Sequence, residues 1–348
     1  MTAELEKQSF PALHPAMSYF YQHSGLCCAG CFDARRWWFV MANDSRIPVA
    51  RFMLHPRYWG AWLVVFFMWL ISWLPLPLKD RLSRLIGYLL YKTLHSRTRI
   101  GRKNLSACFP DKSAADIERL LQKNLQQMAM GLLETPQAWW RDMAEPVNNA
   151  RIIGMEHVLQ PLQNGQGVLL MSGHFTSVDF ALTLFKAALP EQHKLSYMYR
   201  PHDNPVIDRM IVNGRNGRNA RGHTKYQVKE LIRWLRGGNI AWYACDRNSG
   251  KAADLFAPFF GVQTANLSAP SWIAKAGRAA VVFMRMHRLQ GGVYEIEFSP
   301  LPDFGQQPQA DCEAWNKALE QAVRQQPDQY FWVHKRFKKR PPGEAPFY

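Results

Sequence analysis

From Gly154 onward, short apolar runs alternate with stretches of helical spacing. "GVLLMSG", "LSYMYR", "NIAWYACD" and "AVVFMRMH" read as buried strands, because each is brief, rich in large apolar residues and bounded by turn formers. Between them, Val178 to Ala188, Tyr226 to Arg236 and Ala265 to Ala276 carry apolar positions three and four apart, the period of a one-sided helix. The alternation predicts an α/β body with a central, mostly parallel sheet flanked by helices. "GGVYEIEFSP" switches to a period of two and predicts an added antiparallel strand.

The N-terminal half has a different texture. Residues 1–51 keep no sustained period and lack the pattern of a signal peptide, so a poorly ordered extension is expected there. In "YWGAWLVVFFMWLISWLPLPL", Tyr58 to Leu74 pass without a charge, near the lower limit for a helix that spans a bilayer. Trp59, Trp62, Trp69 and Trp73 sit towards its ends, where interfacial aromatics belong. Residues 52–78 are therefore read as an N-terminal membrane-anchoring helix. Basic residues are in excess after it, which puts the main body on the cytoplasmic side.

From Leu78 to Leu94, an apolar stripe through Leu82, Leu85, Ile86, Leu89 and Leu90 suits either a membrane surface or packing on the body. Further on, "DKSAADIERLLQKNLQQMAMGLLE" is a helix that Asp111 or Ser113 would cap. Residues 79–150 thus form a helical, membrane-proximal segment, and 151–348 the α/β body, with 79–348 folding as one unit.

Charge narrows the choice of partners. The 348 residues hold 43 Lys+Arg against 27 Asp+Glu, a net charge of +16. That field favours phosphates, anionic lipid or acidic proteins. With 13 Trp and 20 Phe it fits work at a membrane face, and a nucleic-acid binder would share both features. Cys27, Cys28 and Cys31 crowd into "CCAGC", while Cys108, Cys245 and Cys312 are scattered, unlike a disulfide framework. No second Cys/His pair follows at zinc-ligand spacing, so no metal is expected.

Chemistry is suggested by "MSGHFTSVDF". His174 falls at the carboxyl end of a predicted strand, where open α/β sheets place their ligands. Asp179 lies in the first turns of the next helix, begun at Thr176 or Ser177, and could hold one ring nitrogen while the other serves as a base. Gly173 would leave room for a substrate. The spacing alone is a weak pattern, and a structural histidine is the alternative.

Several further segments agree with one family. "GHFTSVDF", "YRPHDNPVID", "WYACDRNSG", "FAPFFG" and "QYFWVHKRFKKRP", with "HPRYWGAW" and "GRKNLSACFPDKS" before them, occur in order across residues 52 to 348. Together they resemble the late acyltransferases of lipid A biosynthesis, the lauroyl/myristoyl transferases within the glycerolphosphate-acyltransferase-like superfamily. The resemblance implies transfer of a fatty acyl chain from acyl carrier protein to a hydroxyacyl chain of a lipid A precursor, at the cytoplasmic face of the inner membrane. It implies no cofactor beyond the carrier thioester. His174 would be the general base and Asp179 its orienting acid. With no G-x-S-x-G elbow, Ser172 and Ser177 are not candidates for an acyl-enzyme. Donors for the thioester oxygen are not identified; backbone N–H groups at the helix start are one source.

Arg200, Arg215 and Arg218 are candidates for the phosphates of the acceptor, with Arg221 and Lys225 as readily a solvated loop. Asp246, at the end of "NIAWYACD", would fix an arginine or a sugar hydroxyl, or form a structural ion pair. Lys335, Arg336, Lys338, Lys339 and Arg340 would meet headgroups or the carrier protein, or form a solvated tail. Phe175, Phe180 and Trp242 are candidates to set acyl-chain length. The chain departs from the family where Cys245 precedes Asp246, a place that commonly holds Pro, and where Arg247 follows it. Competing readings are a glycerolphospholipid acyltransferase of the same superfamily and a non-catalytic, membrane-tethered anion-binding module. A metal hydrolase using His174, Asp179, His193 or His202 is the weakest.

Overall fold

In the computed structural model, the described residues are 51–216, 220–247 and 255–348. The extension over residues 1–50, with its three cysteines, and Arg218 lie outside them.

Five helices come first: α1 (Trp59–Ser72), α2 (Leu76–Thr93), α3 (His95–Cys108), α4 (Ala114–Trp140) and the short α5 (Ala144–Asn149). The charge-free run does not become one long helix. Pro75 supplies no N–H and its ring blocks continuation, so α1 stops at Ser72 after 14 residues. At 1.5 Å per residue that is about 21 Å, against about 30 Å of bilayer hydrocarbon. Among the described residues no helix is long and apolar enough to cross a membrane.

Instead α1 rests on one side. Val65 joins Met53 with Val206 and Met210 of a later helix in a small separate core, while Leu63, Phe66, Phe67 and Leu70 stay exposed. The two options for the α2 stripe are also separated. Lys79, Ser83 and Gly87, four residues apart, form the buried face. A Cβ on Gly87 would lie 2.6 Å from the Gln126 Cα, so the absence of a side chain there lets α2 lie directly on α4. Leu78, Leu85 and Leu89 point away from the body and are 40–55% exposed.

The body follows as β1 (Arg151–Ile153), α6 (Glu156–Gln163), β2 (Val168–Ser172), α7 (Val178–Ala188), β3 (Leu195–Tyr199), α8 (Pro205–Asn216), β4 (Ala220–Thr224), α9 (Val228–Arg236) and β5 (Ile240–Ala244). It is completed by β6 (Leu255–Phe259), β7 (Val262–Asn266), α10 (Ala269–Gly277), β8 (Ala280–Arg288), β9 (Tyr294–Pro300) and α11 (Pro308–Gln325). Seven strands form one sheet in the order β1-β9-β8-β2-β5-β3-β4. Only β8 and β9 pair antiparallel; every other neighbouring pair is parallel. The expected mostly parallel sheet is therefore present, with β9 as the antiparallel addition.

Because parallel crossovers are right-handed as a rule, α7 and α8, which both pack on α4, share one face, and α9 and α10, which pack on each other, share the other. With both faces covered, all five residues of β2 are buried, which is why its sequence shows no polar alternation. "FAPFFG" is the start of the β6–β7 hairpin. Its two loop residues, Phe260 and Gly261, have φ of 52° and 74°, the left-handed pair a tight hairpin requires.

The last segment, from Pro327 to Phe337, has no long element of its own yet is mostly buried. Its carbonyls need donors. Asn104 of α3 donates to the Trp332 and His334 carbonyls at 2.7 and 2.8 Å. Asn124 of α4 donates to those of Asp328 and Tyr330 at 2.8 and 2.6 Å. Two helix asparagines thus pin an irregular strap against the body.

Candidate active site

The site arises from strand register. In the β2–β5 pair, Ser172 lies opposite Ala244. Two residues beyond each strand stand His174 and Asp246, side by side at the carboxyl edge of the sheet. His174 Nδ1 meets Asp246 Oδ1, and the His174 backbone N–H donates to Asp246 Oδ2 at 2.9 Å. The imidazole is thereby fixed at two points, with Nδ1 turned inward. Its side chain is 27% exposed, and no described residue hydrogen-bonds Nε2. An imidazole held through Nδ1 in this way leaves its second nitrogen available for proton exchange.

Asp246 is fully buried. Burial by itself would push its carboxyl up, but the adjacent His174 and then the Arg336 guanidinium outweigh it and hold the group well below the usual carboxylate range. The Tyr330 hydroxyl donates to Oδ2 at 2.9 Å, and Arg336 donates to the Asp246 carbonyl. Arg336 is therefore not part of a basic tail. It is buried, with a second bond of 3.1 Å to Asn316 Oδ1, whereas Lys335 and Lys338 of the same stretch are exposed.

Asp179 does not orient the histidine in this structure. It forms a two-point ion pair with Arg215, Nε to Oδ1 at 2.6 Å and Nη2 to Oδ2 at 3.0 Å. Asp179 lies in the first turn of α7 and Arg215 in the last turn of α8, so the pair ties these two helix ends together. Arg215 is the partner of Asp179 in this pair, with its side chain 21% exposed. Of the other arginines, Arg200 is exposed just past β3, and Arg218 is outside the described residues.

The turn that carries His174 is held to the C-terminal strap. Phe331 N–H donates to the His174 carbonyl at 3.1 Å, Thr176 N–H to the Gln329 carbonyl at 2.8 Å, and Phe175 bridges Tyr330. Behind it, the Gln329 side chain accepts from Arg288 N–H at 2.8 Å and donates to the Arg288 carbonyl at 2.7 Å. Arg288 is in turn paired with Glu134 of α4 at 2.6 Å, both nearly inaccessible. Gly131, one turn before Glu134, lets α4 touch the turn; a Cβ there would fall 1.8 Å from the Thr176 carbonyl oxygen. Gly173 has a packing role rather than a substrate-facing one, since a Cβ would meet Leu319 at 2.4 Å.

Ser177 occupies the N-cap of α7 without making a side-chain cap bond, so the helix opens with backbone donors rather than a hydroxyl. Ser172 accepts from Trp242 Nε1 at 2.8 Å inside the core. Phe175, Phe180 and Trp242, the candidate length-setting side chains, are all buried in the body. Among the described residues no group of three or more His, Cys, Asp or Glu could hold a metal ion.

Reading the sequence alone missed the His174–Asp246 pairing, Tyr330 and Gln329, and set Arg336 in a basic cluster rather than against Asp246. Asp246 was visible as a strand-end acid. Its partner was not, because 72 residues separate the two and only strand order brings them together.

Comparison with known proteins gives the family. The family model described as bacterial lipid A biosynthesis acyltransferase matches residues 48–339. Over 309 residues, 87% of this chain and 98% of the relative, the sequence is 33% identical to a lipid A biosynthesis lauroyltransferase of Escherichia coli (strain K12). A lipid A biosynthesis palmitoleoyltransferase of the same organism is 28% identical over 302 residues, 86% of this chain and 97% of its own. A lipid A biosynthesis myristoyltransferase, again from that strain, is 27% identical over 308 residues, 87% and 94% of the two chains.

Proposed function

The chain belongs to the bacterial lipid A biosynthesis acyltransferases, and from that membership we propose that it moves a fatty acyl chain from acyl carrier protein onto a hydroxyacyl chain of a lipid A precursor. The observation that supports the chemistry is the His174–Asp246 pair, with Nδ1 held and Nε2 turned outward.

The step needs a base because an alcohol has no useful acidity at neutral pH. His174 Nε2 takes the proton as the hydroxyl oxygen attacks the thioester carbonyl carbon. Asp246 keeps the ring in register and stabilises the imidazolium that forms. Negative charge gathers on the former carbonyl oxygen, and the uncapped first turn of α7 offers backbone N–H donors for it. As the tetrahedral intermediate collapses, the carbon–sulfur bond breaks and the new ester remains. The departing carrier thiolate recovers the proton from His174, which returns to its starting state. Arg200, exposed at the same edge of the sheet, is the described arginine best disposed for an acceptor phosphate.

A membrane-bound acceptor calls for a membrane seat. The outward apolar sides of α1 and α2 provide one, with Trp59 and Trp73 exposed at either end of α1. Arg81, Arg84 and Lys92 stand beside the leucine row. This combination suits a helix pair lying in the interface of an anionic leaflet, and the body then works at the cytoplasmic face of the inner membrane.

The direct test supplies membranes carrying the protein with a lipid A precursor and a panel of acyl carrier protein thioesters, and weighs the product. A gain of one acyl chain is expected. No gain with any thioester, alongside acylation of a lysophospholipid, would overturn the acceptor.

A further inference from the structure

Asp246 carries more donors than an orienting carboxylate requires. Oδ1 faces His174 Nδ1, while Oδ2 receives both the His174 N–H and the Tyr330 hydroxyl, each at 2.9 Å. The ring of Tyr330 is fixed without that hydroxyl. It packs edge-on against Phe175 at 5.9 Å and Trp332 at 5.0 Å, and tilted against Phe259 at 5.9 Å. At 1% exposure the side chain is also out of reach of any substrate. Among the described residues its hydroxyl bonds one group, the Asp246 carboxylate.

We infer that Tyr330 tunes the strength of His174 as a base, acting through Asp246. This rests on the reading of His174 as the base. A carboxylate divides its charge among its donors, so charge drawn towards a neutral hydroxyl is withheld from the imidazole. Removing the hydroxyl leaves a stronger acceptor opposite Nδ1, which stabilises the imidazolium and raises the proton affinity of the ring. Tyr330 is thus a positioning and tuning residue rather than one that touches the reacting atoms.

The surroundings allow this effect to be read cleanly. The titratable and charged groups around Asp246 and Tyr330 are His334 and Arg336 on the strap, Cys245 after β5, Cys312 on α11 and Cys108 on α3. Burial holds His334 neutral, its pKa lowered to about 4, and pushes the thiols of Cys108 and Cys245 up. Burial, then the Asp246 charge, likewise pushes the Tyr330 phenol well above its ordinary value, so it stays a donor.

The experiment measures kcat and KM for acyl transfer across pH in the parent, in Tyr330→Phe, and in protein carrying a ring-fluorinated tyrosine at 330, with His174→Ala beside them. Tyr330→Phe keeps the aromatic packing and should move the acid limb of kcat up by about one pH unit, a tenfold loss on the acid side, with KM unchanged. The fluorinated tyrosine, a stronger donor that keeps every atom of the contact, should move the limb down. A 13C titration of the His174 ring should show the same two shifts. Limbs and ring titrations that stay at the parent position in both variants would overturn the inference while leaving the base intact. Full activity in His174→Ala would overturn the base itself.

Discussion

His174 and Asp246 meet because Ser172 and Ala244 are paired across β2 and β5, and each chain runs two residues past its strand before presenting a side chain. The contact is therefore as rigid as the centre of the sheet. Asp179, on a helix one turn away, is held by a different cation. Two acids of similar address thus have different work, and their variants should separate.

For the Asp179–Arg215 pair the effect is mainly on stability. Both side chains are mostly covered, at 13% and 21% exposure. Arg215→Lys cannot reproduce the two-point geometry and should cost about 1–2 kcal/mol, less than a fully buried pair because some solvent remains. Denaturant midpoints of the two proteins measure it. An unchanged midpoint would mean that the clamp does not join α7 to α8 as described.

Loss of one of the strap's staples should also lower stability. Asn124→Ala leaves the Asp328 and Tyr330 carbonyls without their buried donor. The Tyr330 carbonyl keeps the Trp332 N–H at 2.9 Å, so one carbonyl is left unsatisfied and about 1–3 kcal/mol is expected. Limited proteolysis should then cut near residues 326–337 in the variant and not in the parent.

Acid should unfold the body early. Burial lowers the pKa of His223 to about 4, of His287 to about 3 and of His334 to about 4. All three lie below the unfolded value, so the unfolded chain binds protons first as pH falls. Their contribution is intact above about pH 6.5 and is lost progressively down to about pH 4, at a limiting slope of about 4 kcal/mol per pH unit. Asp246, held low in the fold, adds to the loss only below the ordinary carboxylate range. Thermal scans from pH 8 to 4 should show the midpoint dropping steeply below pH 6. A flat midpoint down to pH 4.5 would show that these rings are protonated in the fold.

Membrane attachment should depend on the outward faces. Phe67→Glu and Leu85→Glu place a charge where each parent side chain is more than half exposed, so folding should be unaffected. Sedimentation with vesicles containing anionic lipid should fall at least tenfold in the double variant. Undiminished binding would move the seat elsewhere.

The apolar runs at β2, β3, β5 and β8 were legible because a doubly covered strand has no polar side to obscure it. Val178 to Ala188 was read with the bounds the structure has. The edge strand β4 was not: "ARGHT" is short and polar, and its Arg221 suggested a basic loop. The helix expected from Ala265 begins at Ala269, because Ala265 and Asn266 finish the hairpin. In the long helix α4, Asn124, Gln127, Gly131 and Glu134 recur at helical spacing on a buried face, a polar stripe that reads as solvent-facing until the strap it serves is known. The site followed the same rule. Its histidine and its acid were each visible locally, and their contact was not, because that contact depends on strand order.

Most direct is single-turnover acyl transfer compared among the parent, Asp246→Asn and Asp179→Asn, each checked for folding and membrane binding. If Asp246 orients the base, Asp246→Asn should lose about 10²- to 10⁴-fold in the chemical step, with the acceptor bound as tightly as before. Asp179→Asn should keep its rate within about tenfold of the parent. The opposite ranking, with Asp179→Asn inactive and Asp246→Asn near the parent, would contradict the account.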